Sequence, residues 1–177
     1  VESLEDTYAN YCNVKHCVGV ASGLDALVLS LRALDVGPGD EVIVPSHTFI
    51  ATWLAVSQVG ANLVPVEPRA NSFNIDPEQI EAAITPKTRA IIPVHLYGQP
   101  ADLDPILKIS EKHDIPVIED AAQAHGASYK GRKIGGHGTI ATWSFYPAKN
   151  LGAFGDGGAI TTNDAELAEK IRILRNY

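Results

Sequence analysis

Two side chains set the chemistry to look for. Lys149 lies in Ser144-Phe145-Tyr146-Pro147-Ala148-Lys149-Asn150-Leu151-Gly152, and Asp120 closes the apolar run Ile115-Pro116-Val117-Ile118-Glu119-Asp120. A primary amine held at a partly desolvated site is suited to Schiff-base chemistry with a carbonyl carbon. Most lysines sit on solvated surface, but the residues around Lys149 carry no other charge. A carboxylate delivered by an apolar strand needs a cation or hydrogen-bond donors, because an unpaired buried charge is costly. A pyridinium N–H⁺ would be such a partner: the acid would keep the ring nitrogen protonated, and the ring would then accept electrons from a substrate carbanion. An N-cap for a helix over Ala121–Gln123 would satisfy the same acid, and the residue alone does not separate the two.

A phosphate and a flat ring would need further support. Ser22-Gly23-Leu24-Asp25-Ala26 joins an expected strand to an expected helix, so backbone N–H groups at Gly23, Leu24 and Asp25 would face an anion at the positive end of the helix dipole. Ser144 could add a hydroxyl. An ordinary N-cap serine explains Ser22 equally well. Phe49 follows a strand and could stack on a heterocycle, or pack in the core. His95 and Tyr97 also follow a strand and suit either a substrate-facing or a structural role. The loop Gly155-Asp156-Gly157-Gly158 matches neither a P-loop nor a dinucleotide fingerprint. Ala21-Ser22-Gly23-Leu24 is no such fingerprint either, which argues against a nicotinamide-dependent dehydrogenase.

These residues cluster after short apolar runs. Strands are expected at 17–21, 41–45, 62–66, 90–94, 116–120, 141–145 and 158–162, several of them apolar throughout, as in strands covered on both faces. Helices are expected at 1–13, 24–34, 49–59, 77–84, 103–113 and 164–176, with Leu27, Leu31 and Leu34 on one stripe. Asp76-Pro77 and Asp104-Pro105 read as helix starts. The alternation predicts an α/β fold: a three-layer α/β/α sandwich around a mainly parallel, seven-stranded sheet. Ligands of such sheets bind beyond the carboxyl ends of the strands, where the residues above fall.

The composition agrees with one globular domain over residues 1–177, at 45% hydrophobic and 20% charged residues. A formal net charge of −7 argues against nucleic acid and against an anionic membrane surface as partners. Cys12 and Cys17 have no second ligand pair, so reduced structural thiols are expected and no metal site. No apolar stretch is long enough to span a bilayer and no signal peptide is evident, which predicts a cytoplasmic protein. The chain has no methionine. With its start inside an expected helix, this predicts a piece of a longer protein.

Taken in order, Ile118-Glu119-Asp120-Ala121-Ala122-Gln123-Ala124-His125-Gly126-Ala127, the Ser144–Gly152 segment, Gly155-Asp156-Gly157-Gly158-Ala159 and Thr162-Asn163-Asp164 resemble the DegT/DnrJ/StrS-type sugar aminotransferases. The resemblance implies pyridoxal 5′-phosphate (PLP) as cofactor and the PLP-dependent transferase large domain as fold. The chain would then be incomplete at its N-terminus and lack the family's smaller C-terminal domain. Lys149 would form the Schiff base and shuttle the proton. Asp120 would bind the pyridine nitrogen, Gln123 the ring hydroxyl, and Phe49 the ring face. Ser144 and the amides near Gly23, Leu24 and Asp25 would hold the phosphate. Many relatives carry threonine where this chain has Leu24, so one hydroxyl contact is lost. Ser22-Gly23-Leu24-Asp25-Ala26-Leu27 and Pro93-Val94-His95-Leu96-Tyr97-Gly98-Gln99-Pro100 look most like the subgroup acting at C3 of nucleotide-linked keto-deoxyhexoses. The implied partners are that sugar, an amino-acid donor (typically glutamate), and a second subunit in a homodimer with shared active sites. A sugar dehydratase of the same fold, in which histidine replaces the lysine, and a noncatalytic regulatory protein are the alternatives. The presence of Lys149 argues against the first, and Lys149, Asp120 and Gln123 together argue against the second.

Overall fold

A computed structural model describes residues 1–176. Its main strands are β1 (His16–Val20), β2 (Glu41–Pro45), β3 (Asn62–Val66), β4 (Thr88–Ile91) and β5 (Ile118–Asp120). A small hairpin of β6 (Ser128–Tyr129) and β7 (Arg132–Lys133) follows, then β8 (Ile140–Ser144) and β9 (Gly158–Thr162). Two hydrogen-bonded groups, β3-β2-β4 and β1-β9-β8-β5, meet where β4 and β5 are joined by parallel bridges at Ile91–Val117 and Val94–Asp120. The result is a seven-stranded sheet in the order β3-β2-β4-β5-β8-β9-β1. Every pairing is parallel except those of β9, which runs antiparallel to β8 and β1.

Period-two alternation sorts side chains to the two faces of this sheet. Val42, Val44, Ala90, Ile92, Ile118, Ile140 and Ile160 join one core with α2 (Gly23–Ala33), α3 (Ile50–Gln58) and α6 (Ala165–Arg175). On the opposite face, Ala141, Trp143, Phe145 and Ala159 meet Tyr8, Ala9 and Cys12 of α1 (Glu2–Cys12). Also on that face, Ile43, Ile91 and Val117 meet Ile80 of α4 (Pro77–Ile80) and Ile106 of α5 (Leu103–His113). The expected three-layer sandwich is therefore present.

The differences from expectation are local. The first, fourth, fifth and sixth main strands are displaced by one to three residues at their ends, within the variation usual for element boundaries. The helix expected over 77–84 is α for one turn only and continues as a 3₁₀ turn at Glu81–Ala83. Asp76 caps α4 by accepting from the Glu78 N–H. The α5 helix matches the expected 103–113, with Asp102 at its N-cap and Asp104 and Pro105 in its first turn. The hairpin was not expected. Its strands are two residues each, and Lys130 (φ 48°) and Gly131 (φ 83°) supply the two left-handed positions of a tight hairpin turn.

Two sequence features hold elements close to the site. Asp164 caps α6 through its Oδ1, which accepts from Glu166 N (2.8 Å) and Leu167 N (3.0 Å). Gly158, at the start of β9, lies against the turn into α2: a Cβ there would meet Ser22 O at 2.3 Å. Asp164→Ala is therefore expected to lower unfolding free energy by about 1 kcal/mol in urea denaturation. Gly158→Ala must push backbone from backbone, and a loss of about 3 kcal/mol is expected by the same measurement.

Candidate active site

The loops beyond the carboxyl ends of β2, β4, β5 and β8 converge with the first turn of α2. Asp120 is the last residue of β5 and is 5% exposed. Its Oδ2 accepts from the Thr52 hydroxyl (2.9 Å) and its Oδ1 from the Ala122 N–H (3.2 Å). Burial pushes this carboxyl above the usual aspartate range, and these two neutral donors, with His95 and Lys149 nearby, only partly offset the loss of water. Lys149 is close enough to favour the charged carboxylate but forms no ion pair with it, nor with any other acid among the described residues. Thr52 was missed by sequence reasoning. It lies on α3, 68 residues from Asp120, and in a mainly apolar helix it reads as one more core position.

Lys149 follows β8 in a turn closed by its own N–H to Tyr146 O (2.8 Å). Its ammonium lies 5.9 Å from the centroid of the Phe49 ring. Phe49 is the N-cap of α3 and is 65% exposed, so it packs in no core and its ring is free to cover a ligand. Lys149 and Gln123 line one cleft of about 520 Å³ with Tyr97, His125 and Asn150. The Gln123 Oε1 accepts from Tyr97 N (2.7 Å), and its amide N–H₂ has no hydrogen-bond partner among the described residues. His125 tilts against Trp143 and Phe145. Among the described residues neither of its ring nitrogens has a partner at hydrogen-bonding geometry, although the Ser144 main chain lies near, and burial favours the neutral ring.

At the phosphate candidate, Ser22 does cap α2: its Oγ accepts from Asp25 N (3.0 Å) and donates to Asp25 Oδ2 (2.6 Å). Ala26 N donates to Ser22 O. The Asp25 amide is thus engaged, and Gly23 and Leu24 keep the free N–H groups of the first turn. Gly23 abuts Ser144, whose Cβ would stand 2.6 Å from a Cβ added at Gly23. The serine and the free amides therefore share one place.

His95 and Tyr97 divide their roles. His95 is fully buried; its Nδ1 accepts from Ala101 N (3.0 Å), so the proton is on Nε2, which donates to Glu119 Oε2 (3.0 Å). Glu119 Oε1 takes two further donors, His137 N and Gly138 N. Burial works against this carboxylate, but His95 and the amides outweigh it and hold Glu119 below the ordinary glutamate range. His95 is structural, while Tyr97 lines the cleft.

A larger, shallow groove of about 1000 Å³ lies between α2, the end of α6 and the Leu151–Gly158 segment, and contains neither Lys149 nor Asp120. Cys12 and Cys17 are buried thiols, each pushed up to about 12 by desolvation. Among the described residues, no group of three His, Cys, Asp or Glu side chains is arranged to hold a metal ion, and no helix is long and apolar enough to cross a membrane.

The residues fit pyridoxal phosphate on three structural counts. A buried carboxyl lacks a full countercharge, a cleft amide presents unused N–H groups, and unpaired helix amides stand beside Ser144.

Comparison with known proteins adds independent support. The chain is 59% identical over 177 residues to a dTDP-3-amino-3,4,6-trideoxy-alpha-D-glucose transaminase of Streptomyces venezuelae, covering 100% of this chain and 47% of that protein. It is also 59% identical over 177 residues to a dTDP-3-amino-3,6-dideoxy-alpha-D-galactopyranose transaminase of Aneurinibacillus thermoaerophilus, covering 100% and 49%. The crystal structure of S. venezuelae DesV in complex with a ketimine intermediate superposes with a TM-score of 0.97 at 60% identity, over 99% of this chain and 47% of that one. The chain thus spans about half the length of the curated relatives it matches. The model of the DegT/DnrJ/EryC1/StrS aminotransferase family matches residues 1–177, and the chain belongs to that family.

Proposed function

We propose that the protein carrying this chain is a PLP-dependent aminotransferase that moves an amino group from an amino acid, glutamate, to C3 of a nucleotide-linked keto-deoxyhexose. The observation that carries the reading is the pairing of an unpaired lysine amine with a buried, under-neutralised carboxyl at the carboxyl end of one sheet. The two relatives named above are transaminases of dTDP-linked 3-amino sugars, which supports the substrate class and the position of amination.

When bound, pyridoxal phosphate supplies an aldehyde carbon and a ring that accepts an electron pair. Lys149 would hold that carbon through its Nζ and, once free, would act first as base and then as acid toward the substrate carbon bearing nitrogen. Asp120 would keep a proton on the ring nitrogen, and a pyridinium would give this carboxylate the countercharge it lacks. Gln123 would donate from Nε2 to the ring oxygen. Gly23 and Leu24 N–H and the Ser144 hydroxyl would bind the phosphate, and Phe49 would cover the ring and keep water from it.

The proposed partner is a second copy of the protein, with each active site built from both subunits. Tyr146, Leu151 and Phe154 support this: they flank Lys149 in its loop and are strongly exposed in the single chain. The proposal also treats residues 1–177 as the cofactor-binding large domain. The dehydratase alternative loses support because its histidine is absent from position 149.

Lys149→Ala is expected to reduce amino transfer to a nucleotide-linked 3-keto sugar by roughly 10⁴-fold. Borohydride reduction and peptide mapping of the wild type should place a pyridoxyl label on Lys149; no label there would exclude the reading. Asp120→Asn separates function from stability. The folded protein holds the Asp120 proton more tightly than the unfolded chain does. Stability therefore grows as pH falls through the folded pKa, and this gain is complete below about 3.9, the unfolded value. A neutral asparagine supplies the uncharged form at every pH. The cofactor-free variant should melt higher than wild type at pH 7, with the difference shrinking as pH is lowered, while amino transfer falls by roughly 10²-fold or more. An equal or lower melting temperature at pH 7 would contradict this account of Asp120.

A further inference from the structure

Gln123 has a carboxamide with two unlike ends, and which end faces the cleft decides what it can bind. An N–H₂ group attracts an oxygen anion; a carbonyl oxygen repels it. In this structure the choice is made by a main-chain group, the Tyr97 N–H, which occupies Gln123 Oε1 at 2.7 Å. Tyr97 holds that N–H in place from a left-handed conformation, φ 57° and ψ 21°, which is uncommon for a bulky residue and persists only where the surroundings impose it.

The surroundings that impose it include Asn74, from a different part of the chain. Asn74 is 3% exposed. Its Oδ1 accepts from Leu96 N (3.1 Å) and its Nδ2 donates to Gln99 O (2.9 Å), so one side chain grips the turn on both sides of Tyr97. The turn also closes on itself through Gln99 N to Leu96 O (3.0 Å). Gly98 (φ 83°) lies so near Gln123 that a Cβ there would stand 3.3 Å from its main-chain carbonyl oxygen.

We propose that Asn74 is a positioning residue for the cofactor site: by clamping the Leu96–Gln99 turn it fixes the Tyr97 N–H on Gln123 Oε1, and so turns the Gln123 N–H₂ toward an anionic oxygen in the cleft. This rests on the PLP reading above, and the oxygen concerned is that of the cofactor ring. Asn74 itself touches no reacting atom. Its loss frees the turn, lets the carboxamide rotate, and removes a donor that withdraws electron density from the ring.

A double-mutant cycle tests the relay in the full-length protein. Asn74→Ala, Gln123→Ala and the double variant are each titrated with PLP, and the pH midpoint of the visible PLP–protein absorbance band is measured. Each single variant should bind PLP about tenfold more weakly. Each should also raise the pH midpoint, because the ring oxygen, no longer hydrogen-bonded, makes the neighbouring nitrogen more basic. The double variant should match Gln123→Ala in both readouts, since Asn74 acts only through Gln123. Where Asn74→Ala does not fold, Asn74→Asp, isosteric and still an acceptor for Leu96 N–H, takes its place in the cycle. Additive effects, or an unchanged midpoint in the folded Asn74 variant, would overturn the relay and leave the PLP reading standing. A wild type without any PLP band would overturn that reading and the relay together.

Discussion

A carboxylate buried at the end of β5 with two neutral donors is the constraint to which the rest of this site answers. Water would solvate that charge far better than Thr52 and Ala122 do. The fold tolerates it because the sheet is anchored around it. Asp120 N donates to Pro93 O and Asp120 O accepts from His95 N, so the residue is also a rung of the seam that joins the two halves of the sheet. The backbone that carries the acid cannot move toward solvent without breaking that seam. A cationic ring is the partner that would relieve the strain without moving the backbone.

Around this point the molecule separates what must be rigid from what must be available. His95, Glu119, Asn74 and Trp143 are buried, and each is hydrogen-bonded to groups from other segments. Lys149, Phe49 and Tyr97 are partly or largely exposed, and the turn that carries Tyr97 is held by buried Asn74. Rigidity in that buried residue positions the exposed one. The larger groove beside α2 and α6 has more volume but none of the titratable groups that the chemistry needs, and volume alone is a poor guide to reactivity here.

Much of this was legible from residue order. Continuous apolar runs marked the seven strands, since a sheet covered on both faces demands them. The rule that ligands lie beyond strand ends led to Asp120, Gln123, Ser144 and Lys149. What was not legible depends on register. His95 and Glu119 are 24 residues apart and meet only because β4 and β5 are neighbours. Thr52 and Asn74 look like ordinary helix and loop residues until their long-range partners are known. The β6–β7 hairpin has strands too short for any period, although Lys130-Gly131 fits its turn. The Asp25 amide is also a case of competition: Ser22 uses it as a cap, and only local geometry decides between cap and anion.

Glu119 and Asp120 are adjacent, yet they experience opposite environments. One is surrounded by His95 and two amides on one side of the sheet; the other faces Thr52 on the other side. In an extended chain neighbouring side chains alternate sides, so a slip of a single residue along β5 would exchange them. A slip in one direction would put Glu119 where Asp120 stands and leave the count of charges unchanged. Only one of the two registers leaves each acid among donors suited to it. The alignment of β5 on β4 thus acts as a sorting device, assigning one of two similar carboxylates to architecture and leaving the other for the cofactor proposed above.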